Sequence, residues 1–234
     1  MRLADRRMYA DKHRGRATAA RQSANVLAKA LRERNPELSD HLGRVAHLAR
    51  EVAVRLGISD KELEETVRAA ELHDVGKVAI PDEILLKPGP LVPSERTFVE
   101  QHTIMGERIL CAAPALVDVG RLVRHSHERF DGDGYPDRLK GEEIPLGSRV
   151  IHVCDAFEAM TSNRPYKRAM SLEAALAELR RCSNTQFDER VVDVFIEMVE
   201  QGDENVAAGA REVSDSAAQD LAQILSISDT SVNR

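Results

Sequence analysis

The sequence predicts an all-α fold, a helical bundle with two long ordered loops. Three observations lead there. Apolar residues recur at three- and four-residue spacing along most of the chain, and no alternating run finds a strand partner. Aromatic residues make up 3% of the 234 residues and Trp is absent, so the core must come from Leu, Val, Ile and Ala, which suits helices better than sheets. Gly, Pro and Asp gather in two stretches, 76–93 and 129–147, that interrupt the helical pattern without strand periodicity. Ordered loops of that length tend to carry function.

The elements follow in order. Ala17 to Glu33 reads as a helix with an apolar stripe at Ala20, Val26, Leu27, Ala30 and Leu31, ended by Asn35-Pro36. A second helix runs from Leu38 to Leu56 and closes at Gly57. Ser59 or Asp60 caps a third, which runs through Leu63, Val67, Ala70 and Leu72 to about Val75. After the first loop, one helix begins at Ser94-Glu95 and passes His102 and Leu110; Pro114 interrupts, and another covers Leu116 to Glu128. Helices return at Ser148 to Met160, Ser171 to Arg181 and Asp188 to Val199. Beyond Gly202, Ala, Ser, Asp and Gln dominate, which predicts a fraying acidic tail over 201–234 with a weak helix near Ala217 to Leu225.

Charge and cysteine usage bound the function classes. A formal charge of -6 gives no case for binding a nucleic-acid polymer or an anionic membrane. Residues 1–34 are basic, with ten Lys or Arg against three acids, which reads as a solvated end. No apolar run reaches the ~18 residues of a membrane span, and no signal peptide is visible. Cys111, Cys154 and Cys182 lack metal-ligand spacing and read as reduced, buried thiols of a cytoplasmic protein.

The chemistry-bearing residues begin with "AELHDVGKVAI". His73 and Asp74 are adjacent within apolar sequence, with Lys77 one helical turn on. Neighbours on a helix point about 100° apart, so a metal ion lying across the surface can reach both. A buried carboxylate needs a partner, which a dication or the Lys77 ammonium could supply. Glu37 and His41 lie four apart on the second helix; His102, His125 and His127 fall on later helices; Asp155 sits in the apolar run "RVIHVCDAFEAM". An imidazole and carboxylate set without thiolates suits a two-metal centre of Mn or Fe better than Zn. His13, His47 and His152 read as ordinary surface or packing residues.

In order and spacing, "HDVGK", "IPDEILLKPGPL", "HTIMGERIL", "HERFDGDGYP" and "VCDAFEAMTSNRPYK" resemble the HD-GYP family, metal-dependent phosphodiesterases that hydrolyse bacterial cyclic di-GMP to pGpG and in some cases on to GMP. The resemblance covers roughly Glu37 to Val199 and implies an HD-superfamily helical bundle. It implies that His41, His73, Asp74 and Asp155 bind a first metal, that Asp74, His102 and His127 bind a second with Asp74 bridging, and that Glu37 supports a third in some members. It also implies that Asp74 and Lys77 are catalytic, and that Lys77, Arg129, Gly134, Tyr135, Pro136, Arg164 and Lys167 contact the substrate.

Two positions depart from the family pattern. "HSHER" puts Ser126 where the first of two adjacent histidines is expected, and Glu158 stands where Asp is common. The Ser126 departure favours an alternative, a cyclic di-GMP sensor or protein-interaction module that hydrolyses poorly; a second alternative is an HD hydrolase of another nucleotide. Residues 4–16, "ADRRMYADKHRGR", resemble the last helix of a GGDEF domain. The expected organisation is therefore a GGDEF remnant at 1–16, a linker and homodimerisation helix at 17–35, the HD-GYP domain at 36–200 and the tail at 201–234. GGDEF or sensor domains, upstream or in trans, are the expected partners.

Overall fold

A computed structural model describes residues 22–29, 36–163 and 168–202, with side chains in the second segment described from Asp40 onward. The expectations for 1–16, for most of 17–35 and for the tail lie outside these residues. Within them the order is α1 (22–29), α2 (Pro36–Arg55), α3 (Asp60–Leu72), α4 (Asp82–Leu85), α5 (Pro93–Glu100), α6 (His102–Cys111), α7 (Val117–Arg124), α8 (Leu146–Thr161), α9 (Leu172–Arg181) and α10 (Glu189–Glu200). Tight 3₁₀ turns cover Val75–Ala79, Pro114–Leu116 and Gly141–Glu143. Among the described residues there is no strand, only a single bridge between Ser183 and Phe187, so the all-α expectation holds.

The bundle is centred on α2, α3 and α8. Ala46, Ala49 and Ala53 of α2 and Ala69 and Ala70 of α3 are buried. Such short side chains bring helix axes close, which lets ligands from different helices converge. Val150, Ile151, Val153 and Cys154 of α8 are fully buried against them. The Phe157 and Phe195 rings, 4.8 Å apart, tie α8 to α10. Gly57 closes α2 in the left-handed region at φ +69°. Ser171 and Asp188 cap α9 and α10 by accepting from Ala174 and Arg190 N–H groups.

Several boundaries differ from the sequence reading. The third helix stops at Leu72 rather than Val75: His73 is its C-cap, and Asp74 lies at φ -93°, ψ 5°, in the bridge region. The single helix expected from Ser94 past Leu110 is two, broken at Gln101, so His102 opens α6. The helix expected to reach Glu128 ends at Arg124, and residues 125–127 form a turn. Thus, of the six candidate ligands, His41, His102 and Asp155 lie on helices, while His73 and Asp74 sit at the end of α3 and His127 in the turn after α7. Periodicity reads the apolar face but not the point where backbone hydrogen bonding stops. Cys111 is exposed, against expectation, while Cys154 and Cys182 are buried; all three are free thiols. Among the described residues no helix is long and apolar enough to cross a membrane.

Candidate metal centre

Two groups of side chains converge at one end of the bundle. His41, His73 and Asp155 form one cluster and Asp74, His102 and His127 the other, the ligand atoms of each lying within 4.8 Å of one another. In the first, Asp155 Oδ1 is 3.2 Å from His41 Nε2 and 3.7 Å from His73 Nε2. Asp74 Oδ1 lies between the clusters, 3.8 Å from His73 Nε2 and 3.6 Å from His102 Nε2. Its other oxygen accepts from Lys77 Nζ at 2.6 Å. The His102 and His127 rings are 5.0 Å apart, and the Tyr135 ring stacks on His127 at 5.2 Å.

The local fold decides which nitrogen each ring offers. His73 Nδ1 donates to the Ala70 carbonyl and His102 Nδ1 to the Val99 carbonyl, both at 2.8 Å. These carbonyls belong to the last turns of α3 and α5, close enough for the rings that follow to reach back to them. A carbonyl can only accept, so Nδ1 carries the proton and the Nε2 lone pair faces the centre. His41 achieves the same with Glu158, whose Oε2 contacts its Nδ1.

The arrangement fits a cation. Asp74 Oδ1 and His102 Nε2 are buried without a hydrogen-bond partner, and both are acceptors. Facing acceptors repel one another unless a positive charge lies between them. The titration shifts follow from the same crowding. Burial raises the Asp74 pKa, but the fields of Lys77, His73 and His102 win and hold it well below the usual carboxylate range. Burial and the neighbouring His102 push the His127 pKa well down. For His41, burial lowers the pKa but hydrogen bonds to Asp155 and Glu158 raise it further, to about 9. For Glu158, burial is outweighed by His41, Ser162 and Arg44, and the pKa falls to about 2.

The His41–Glu158 pair therefore gives the metal-free chain a pH signature. A raised histidine contributes stability fully below its ordinary 6.5 and loses it as pH climbs through about 9. A depressed glutamate contributes fully above its ordinary 4.5 and loses it as pH falls through about 2. Thermal melts of chelated wild type and Glu158→Gln should differ most between these two ordinary values and converge on both sides. A difference that is flat with pH contradicts the pairing.

The loop from Phe130 to Pro145 is pinned beside the clusters. Buried Glu128 accepts from the N–H groups of Asp137 at 2.7 Å and Leu139 at 3.1 Å. Arg124 forks onto the Asp137 carboxylate, which His125 also contacts at 3.0 Å. Gly134 meets a close approach: a Cβ there would stand 2.2 Å from the Arg129 nitrogen and 2.6 Å from Glu128 Cα. Within this loop the Tyr135–Pro136 peptide bond is cis.

Of the residues singled out from sequence, His41, His73, Asp74, His102, His127 and Asp155 come together, with Lys77 and Tyr135 beside them. Ser126 is turned away, its hydroxyl donating to the Val123 carbonyl at 2.9 Å. Arg129 is held by Asp131, with Nε donating at 3.0 Å, and reaches Gln186 at 3.3 Å. Arg164, Lys167 and the Glu37 side chain lie outside the described residues. Sequence reasoning missed Arg44 and the tie from Glu128 to the loop, and it noted Glu158 only as a departure. The one available signal was the three-residue spacing of Asp155 and Glu158, which puts both on one face of α8.

A family model described as HD domain matches residues 25–191. Over 179 residues the chain is 44% identical to the cyclic di-GMP phosphodiesterase response regulator RpfG of Xanthomonas campestris pv. campestris, covering 75% of this chain and 47% of that protein. It is 36% identical over 173 residues to the 3'3'-cGAMP-specific phosphodiesterase 2 of Vibrio cholerae, covering 73% of this chain and 33% of that protein. The chain thus spans a third to a half of the length of these relatives. Its fold is similar to the crystal structure of the cyclic GMP-AMP specific phosphodiesterase V-cGAP3 of V. cholerae, with TM-score 0.56 and 21% identity over 77% of this chain and 48% of that one. The chain belongs to the HD domain family, and its His-Asp pair and Gly-Tyr-Pro loop are those of the HD-GYP group within it.

Proposed function

We propose that this chain is a metal-dependent phosphodiesterase that hydrolyses cyclic di-GMP to linear pGpG. The observation that carries the reading is Asp74 Oδ1 lying between two ligand clusters, with Lys77 on the other oxygen of the same carboxylate. The similarity to a cyclic di-GMP phosphodiesterase supports the substrate class. The donor set of imidazoles and carboxylates, without thiolate, favours Fe or Mn. Two clusters imply two ions; with Ser126 turned away, a third would depend on Glu37.

A bound pair of dications supplies Lewis acidity and an activated water at neutral pH. His41, His73 and Asp155 would hold one ion and Asp74, His102 and His127 the other, with the Nδ1 contacts to backbone at His73 and His102 and to Glu158 at His41 keeping those rings aimed. The water oxygen bonds to phosphorus, the bond to the sugar 3'-oxygen breaks, and that oxygen takes up a proton. Asp74 and Asp155 are the two carboxylates placed to accept the proton of the water. Lys77 places a cation where phosphate charge builds. Tyr135 walls the site through its stack on His127, while Gly134 and Pro136 shape that wall. Arg129, Arg164 and Lys167 bind the phosphates and guanines, Arg129 by exchanging Asp131 for substrate.

The test is hydrolysis by protein reconstituted anaerobically with Mn²⁺ or Fe²⁺, offered cyclic di-GMP and 3'3'-cGAMP in parallel. Metal-dependent release of pGpG supports the reading. Turnover of 3'3'-cGAMP alone would transfer the function to the substrate of the second relative. Tight binding with no turnover would make the chain a sensor, the outcome that the Ser126 departure favours. Lys77→Ala should keep both ions but lower kcat by about 10²–10³; a rise in KM alone would show that Lys77 only binds. The substrate class puts the chain in the cytoplasm. GGDEF or sensor partners, and a homodimer through the helix at 17–35, complete the proposal.

A further inference from the structure

We propose that Glu158 is a positioning residue that fixes the His41 ring for the first ion and sets that ion's affinity. The proposal rests on the metal-site reading above but concerns a residue outside both clusters. Asp155 and Glu158 lie three apart on α8 and face the same side. Together they engage both nitrogens of His41: Asp155 Oδ1 is 3.2 Å from Nε2, and Glu158 Oε2 contacts Nδ1.

The need for Glu158 comes from where His41 sits. His73, the C-cap of α3, and His102, the first residue of α6, donate to backbone carbonyls three residues back. His41 is inside α2, where the preceding carbonyls are taken by N–H groups one turn on. Its Nδ1 proton therefore needs an acceptor from another helix, and α8 supplies it. Glu158 is itself clamped. Its Oε1 accepts from Arg44 Nε at 2.9 Å and from Ser162 Oγ at 2.7 Å, and the residue is 3% exposed. A carboxylate so fixed holds one ring orientation and makes the imidazole a stronger ligand. Among the three imidazoles whose Nδ1 partner is seen, His41 alone depends on a side chain, so it alone can be uncoupled by substitution.

The experiment is Mn²⁺ binding to the chelator-treated chain, followed by titration and by metal content at saturation. Wild type should bind two ions. Glu158→Ala should weaken one binding step by about 10–100-fold and leave the other unchanged. Glu158→Asp should recover part of the loss. Glu158→Gln keeps the volume and an acceptor oxygen but not the charge, and should fall between wild type and alanine; it carries the test if the alanine variant does not fold. A merely structural Glu158 would weaken both steps together with a lower melting temperature, and that result overturns the proposal. So do two wild-type steps in Glu158→Ala. A wild type that binds no Mn²⁺ would instead overturn the metal reading itself, and this inference with it.

Discussion

Asp74→Asn should abolish hydrolysis and remove at least one ion, although the side chain keeps its size. Asp74 is 2% exposed, and Oδ1 stands within 3.8 Å of a lone pair from each cluster. Asparagine still offers an oxygen but no negative charge, so two cations and the Lys77 ammonium would share a pocket that has lost its shared anion. The loss should exceed the ~10²–10³ in rate that removal of one charge-stabilising donor costs. Lys77, 2.6 Å from Asp74 in the wild type, also loses its partner, so the variant should melt lower when metal-free. Metal content and single-turnover hydrolysis check this. Two bound ions with ordinary turnover in Asp74→Asn would sink the role of Asp74.

Gly76→Ala should break the site from behind without touching a ligand. A Cβ at Gly76 would lie 1.8 Å from the His102 carbonyl oxygen and 2.6 Å from the Gly106 nitrogen. Both are backbone atoms, so no rotamer change relieves the overlap. The 3₁₀ turn after Asp74 and the first turn of α6 would have to part, which separates Asp74 from His102. The cost should be at least the ~1–3 kcal/mol of an overpacked core, read as a fall of about 2–4 °C in Tm per kcal/mol. Mn²⁺ affinity at the cluster of Asp74, His102 and His127 should fall more than at the cluster of His41, His73 and Asp155. A variant with wild-type Tm and both affinities intact would show that this contact is not tight.

Two glycines illustrate the pattern of what could be read. Gly76 and Gly134 are needed for close approach, not for a left-handed backbone; Gly134 meets Glu128 and Arg129 within its own loop region, whereas Gly76 meets His102 and Gly106 from another helix. Likewise, Ser126 read as a missing ligand, yet whether His127 would serve depended on where α7 ended. Because α7 ends at Arg124, the turn that follows carries His127 toward His102 and turns Ser126 back onto the Val123 carbonyl.

From sequence alone came the all-α class, the helices by their apolar spacing, and the order of His41, His73, Asp74, His102, His127 and Asp155 by motif. These are local properties: periodicity records which face is buried, and a motif records residue identity at fixed separation. Tertiary structure alone decided that Nδ1 of His73 and His102 is held by backbone carbonyls near helix ends, and that Glu158 contacts His41 across 117 residues of chain. Such contacts depend on how α2, α3, α6 and α8 pack, and that packing is set by small buried residues acting together. No local pattern encodes the distance between two helices, so no local pattern could reveal what meets there.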